Sequence, residues 1–129
     1  MKQLLQNHTC AVRTAQGELF TSDDRGIRPA LQWLREDRGM LRDAEVADKV
    51  VGKAAALLFA FGGVRYLWAE CMSDAAIAFL EQSGIAFEYE RRTERIINRD
   101  GTGLCPMESR AMPIDDPAEA FALFDGIIP

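Results

Sequence analysis

The sequence predicts an α/β domain: a three-layer α-β-α sandwich with a mixed sheet between its helices. Three observations predict it. Short apolar or alternating runs read as strands, and longer runs with apolar residues three and four apart read as helices. Glycines and capping residues punctuate the chain where these elements should end. The resulting order is β-β-α-β-α-β-α-β, then a loop, then a final helix. The 129 residues suffice for one domain with a real core, and we expect one domain over 1–129.

Cys10 to Arg13 and Glu18 to Thr21 read as two short strands, with Gln16-Gly17 as the hairpin turn. The polar run Ser22-Asp23-Asp24-Arg25-Gly26 breaks the pattern. Pro29 suits the first turn of a helix that carries Leu31 and Leu34 and stops near Gly39. Ala44 to Ala47 is expected to form a short strand. Asp48 then reads as the N-cap of a helix from Lys49 to Phe61, ended by Gly62-Gly63. Val64 to Ala69 is mostly apolar, as in a buried central strand. Ser73 or Asp74 caps the next helix, which stops at Gly84. Ile85, Phe87 and Tyr89 alternate with polar neighbours, so that strand should be half exposed toward an edge. Arg91 to Arg95 reads as a charged turn. Asp116-Pro117-Ala118-Glu119 is an N-cap, a first-turn proline and an N3 glutamate, starting a terminal helix.

The formal net charge of −5 argues against nucleic acid or an anionic membrane as the main partner. No apolar run approaches the ~20 residues that span a bilayer, and the N-terminal residues lack the apolar stretch and cleavage site of a signal peptide. Three widely spaced cysteines, Cys10, Cys71 and Cys105, favour reduced thiols and a cytoplasmic location over a disulfide framework.

The densest chemistry lies between Asn98 and Glu108. Asn98, Arg99, Asp100, Thr102, Cys105 and Glu108 supply an amide, a cation, two carboxylates, a hydroxyl and a thiol. Gly101 and Gly103 allow the backbone to turn its N–H groups toward a ligand. Pro106 stiffens the exit.

Three stretches, Asp23 to Pro29, Val46 to Ala55 and Asn98 to Glu108, resemble a family of uncharacterised bacterial proteins with a cytidine-deaminase-like fold. The resemblance covers nearly the whole chain and implies a fold and a site location. It also implies a departure in chemistry. A zinc deaminase carries His or Cys with Glu at the start of one helix, and Pro-Cys-x-x-Cys at the start of the next. Here those places read Asp48 to Lys53, and Glu70-Cys71-Met72-Ser73-Asp74. The single histidine, His8, is far from both, so no zinc site and no cofactor are expected.

Lys49 and Lys53, four apart, are expected on one face of a helix start, where cations are disfavoured unless an anion is bound. Two solvated lysines are the plainer account. Gly52 inside a helix implies a close neighbour, either a ligand, the Asn98–Glu108 loop or a packed helix. Cys105 near these cations would be a nucleophile, or else a small apolar residue. Arg99 suits a carboxylate or phosphate, and Asp100 and Glu108 suit acid–base work or a polar ligand. Asp100 could equally stabilise its own turn. Trp33 and Trp68 read as core, and so does Cys10. Cys71 reads as packing at the end of a buried strand.

Asp48, Lys49, Lys53, Asn98, Arg99, Asp100, Gly101, Thr102, Gly103 and Glu108 are therefore expected to converge on one small polar or anionic ligand. Cys105 is the catalytic candidate if a reaction occurs. A Cys105-dependent enzyme or sulfur carrier is one alternative, and a regulatory interaction module is another. A homo-oligomer is compatible with all three.

Overall fold

The computed structural model describes residues 2–96 and 105–129. The elements run α1 (Lys2–Leu5), β1 (Cys10–Arg13), β2 (Leu19–Ser22), α2 (Arg28–Glu36), β3 (Glu45–Val51), α3 (Lys53–Gly62), β4 (Tyr66–Ser73), α4 (Asp74–Ser83), β5 (Ala86–Thr93), α5 (Pro106–Ala111) and α6 (Pro117–Ile127). The sheet has the order β2-β1-β3-β4-β5. β1 is antiparallel to both of its neighbours, whereas β3, β4 and β5 are parallel. The sequence dictates both patterns. A short turn with Gly17 at φ +89 can only join antiparallel strands, while helices α3 and α4 carry the chain back for parallel pairing.

Helix α3 lies at the centre of the main core. Every residue from Lys53 to Phe59 is buried, as expected of a helix that is apolar all round. The core on that face of the sheet joins Val12, Val46 and Leu67 to side chains from α2 through α6, including Leu34, Leu58, Leu80 and Phe124. Strand alternation sends Ala11, Ala47 and Trp68 to the other face, where they pack with Leu5 of α1. The sheet is thus flanked by helices, but unequally: α1 alone contributes to the second cluster. Trp33 and Trp68 are buried, as the sequence implies.

Several boundaries differ from expectation. β3 does not stop at Ala47. Asp48 pairs in register with Cys10 of β1 and Ala69 of β4, so the ladder carries the chain on to Val51. Asp48 is therefore not the cap of α3, and Lys49 is not helical; strand pairing overrides the local capping signal. β4 likewise runs to Ser73, and β5 continues through Arg91 and Arg92, where a charged turn was expected. The Asn98–Glu108 stretch ends in helix α5 rather than in a plain loop. β5 lies at a sheet edge and is largely exposed, in line with its alternation.

The inward-facing positions change phase near the carboxyl ends of the strands. Val46 and Leu67 share the main core with Val51 and Met72, each five residues further on. This turns Val50, Cys71 and Arg91, which are register neighbours on β3, β4 and β5, out of that core. Val50 is 45% exposed and Cys71 half-buried.

Candidate functional site

The start of α3 is held by a carboxylate from α5. Glu108 accepts hydrogen bonds from two successive backbone N–H groups, Lys53 N at 2.9 Å and Ala54 N at 2.8 Å. These are orphan donors of the first helical turn, and a carboxylate there also meets the positive end of the helix dipole. The local sequence explains the contact. The cap residue is Gly52, with no side chain to bond the turn. A Cβ built on it would fall 2.4 Å from the Glu108 carboxyl carbon. Gly52 has an ordinary extended backbone, so it is needed for space and not for conformation. It is not inside the helix, as the sequence suggested, but at its cap. Burial pushes the Glu108 carboxyl upward, against the pull of the two N–H bonds and the Lys53 charge.

Lys53 completes the attachment from the other side. Its side chain is nearly buried, and Nζ donates to the Met112 carbonyl at 2.8 Å and to Asp115 Oδ1 at 2.9 Å. α3 thus grips α5 through a backbone seat, and the α5–α6 connection through an ammonium. Lys53 consequently points toward the protein's own acceptors. Lys49, four residues earlier, is an exposed strand residue and does not share a helix face with it.

Asp48 lies elsewhere again. It is buried on β3 across from Cys10, and its Oδ2 has no hydrogen-bond partner among the described residues. Burial raises its carboxyl from the ordinary 3.8 to about 7, although Val50, Lys49 and Cys10 donors oppose the rise. Burial first, and then the Asp48 charge, push the Cys10 thiol up. Adjacent strand residues face opposite sides, so Asp48 and Lys49 cannot converge on one surface. The expected union of Asp48, Lys49 and Lys53 is replaced by three separate environments, because the helix begins at Lys53 rather than at Lys49.

Asn98, Arg99, Asp100, Gly101, Thr102 and Gly103 lie outside the described residues. The chain on either side is tied together: Cys105 N donates to Ile96 O at 3.0 Å. Cys105 is half-buried and precedes the first-turn proline of α5. Nearby at the strand ends, the Ser73 hydroxyl caps α4 by accepting from Ala76 N at 3.1 Å, and Asp74 pairs with Arg92 at 2.5 Å. Sequence reasoning assigned no role to the Asp74–Arg92 pair, since Arg92 fell in a supposed turn. Among the described residues, no group of three or more His, Cys, Asp or Glu could hold a metal ion.

The model of the family described as "Domain of unknown function (DUF1893)" matches residues 1–128. The chain belongs to the DUF1893 family. Its fold is also that of a solved relative, a DUF1893 family protein from Thermotoga maritima, with a TM-score of 0.82 and 25% identity. That match covers 92% of this DUF1893 chain and 79% of the Thermotoga chain. No curated protein matches it. No helix among the described residues is long and apolar enough to cross a membrane.

Proposed function

We propose that this DUF1893 domain binds a small polar or anionic ligand outside the carboxyl ends of β3, β4 and β5. The observation that carries the reading is the double anchoring of the start of α5. Cys105 N donates to Ile96 O. The Glu108 seat then fixes the outgoing chain to the first turn of α3. Open α/β sheets take ligands beyond the carboxyl ends of their parallel strands, and Glu108, the last residue of the stretch densest in functional chemistry, is seated at the helix start that follows β3. Arg91 on the edge strand β5, Cys71 on the inner strand β4 and Cys105 at the tether are the described residues that supply polar contacts. Asn98, Arg99, Asp100, Gly101, Thr102 and Gly103 supply the remainder. Asp48, Lys53 and Glu108 act as internal supports rather than as ligand contacts.

The scaffold in this proposal is cytidine-deaminase-like, supported by the element order and the mixed sheet in which β1 is antiparallel to both neighbours. The residues do not fit the zinc of that class. The start of α3 offers Gly52, Lys53 and Ala54, and the start of α4 offers Ser73 and Asp74. No deaminase step follows from them. Titration of uniformly ¹⁵N-labelled protein with orthophosphate, AMP, cytidine and succinate tests the reading. At least one probe is expected to give saturable shifts centred on Cys71, Arg91, Arg92 and Cys105. Absence of such shifts with all four at millimolar concentration, or shifts centred elsewhere, overturns it.

A further inference from the structure

We infer that a hollow at the other end of the sheet from the proposed ligand site binds a small organic cation with an apolar body. The hollow measures about 530 Å³ and lies between the carboxyl ends of α3 and α4 and the chain leading into α6. That volume is in the usual range for small-molecule sites.

Two helix ends face it. α3 closes with Gly63 at φ +84 and α4 with Gly84 at φ +84, so neither terminal turn carries a side chain at its cap. The last carbonyls of a helix carry partial negative charge, and sequences ordinarily answer it with Lys or Arg in the last turn. Here neither helix has a basic residue in its last turn. Asp115 adds a carboxylate at the third wall. Its oxygen also accepts from Lys53 Nζ, the one described cation paired with it. The amino end of α6 would oppose a cation, but Asp116 caps it through Ala118 N at 3.0 Å and Glu119 stands in its first turn. Arg42 packs beside Gly63 and Lys53 shares Asp115, so the hollow offers a cation acceptors rather than a bare negative field. Val64, Phe79, Ile85 and Pro117 give apolar and aromatic wall, which suits the hydrocarbon part of an amine and allows a cation to lie against a ring face. A free alkyl- or aryl-ammonium matches both features; a carboxylate of the same shape does not.

Phenethylammonium is the probe and phenylacetate its charge-reversed control, each titrated into ¹⁵N-labelled protein at constant ionic strength. Saturable shifts at Gly63, Val64, Ser83, Gly84 and Ile85 are expected with the amine only. Gln82 lines the hollow and is exposed, so it accepts charge without threatening the fold. Gln82→Lys supplies the missing cation and should weaken phenethylammonium about three- to tenfold, while Gln82→Glu should tighten it by a similar factor. Equal affinity in the two variants overturns the inference. So do matching shifts with phenylacetate, or shifts centred outside these residues.

Discussion

Cys10 and Asp48 stand opposite each other on β1 and β3, a thiol and a carboxyl both buried, with one carboxyl oxygen unpartnered among the described residues. This pair makes stability depend on pH. The Asp48 carboxyl titrates near 7 in the folded chain and near 3.8 when exposed. Between those values the folded state holds a proton that the unfolded state has lost. Stability is thus fully present below pH ~4, falls as pH rises, and levels off above ~7; the span corresponds to roughly 4 kcal/mol. Urea unfolding at pH 5 and pH 8 should show the decline, and Asp48→Asn should flatten it. An unchanged slope in Asp48→Asn would assign the pH dependence to other groups.

The Glu108 seat predicts a graded series. Glu108→Ala leaves two buried N–H donors unpaired and should cost about 2–4 kcal/mol. Glu108→Gln keeps one acceptor and should cost about half as much. Chemical denaturation of the two variants measures the ratio, and equal losses would contradict a bidentate seat.

Gly52→Ala tests the same contact by space. The added methyl meets the Glu108 carboxylate at 2.4 Å, so the substitution should cost about 1–3 kcal/mol. In a Glu108→Ala background most of that cost should vanish, because the obstructing group is gone. A double-mutant cycle in urea reads the coupling, and additive losses would place the strain elsewhere.

Lys53 and Asp115 should respond unequally although they form one ion pair. The Lys53 side chain is nearly buried and that of Asp115 is 88% exposed. Asp115→Asn should cost no more than about 1 kcal/mol. Lys53→Met keeps the buried stem but abandons the Met112 carbonyl as well, and should cost more. Hydrogen exchange should locate the loss in α5 and the chain leading to α6. Equal costs for the two would mean that the exposed pair, not the buried end, holds the connection.

The thiols should separate by access. Cys10 is fully buried with its pKa raised, whereas Cys71 and Cys105 are half-buried. Limited alkylation of the native protein should label Cys10 last, as read by peptide mapping. Faster labelling of Cys105 than of Cys71 would favour a thiol-based activity at the tether. The sequence reads Cys71 as packing at a strand end, and its half-buried position there makes this the informative comparison.

Local signals located the elements because hydrophobic period, glycine caps and proline starts act over a few residues. Gly63, Gly84 and Asp116-Pro117 sit at the helix ends that their chemistry demands. The same signals failed at Asp48 and Lys49, where a plausible cap lay inside a strand. Pairing with Cys10 on one side and Ala69 on the other decided that residue, and neither partner is near it in sequence. Gly52 was legible as a close contact, and Glu108 as a residue of consequence. Their meeting across 56 positions was not legible, since only the packing of α5 against α3 brings a carboxylate to a helix start with room for nothing else. The sequence by itself determined the order of the main helices and strands, but not α1, α5 or the strand ends that include Lys49 and Arg92. The tertiary structure decided which charges face inward, because burial and pairing energies depend on neighbours that the chain supplies only once it has folded.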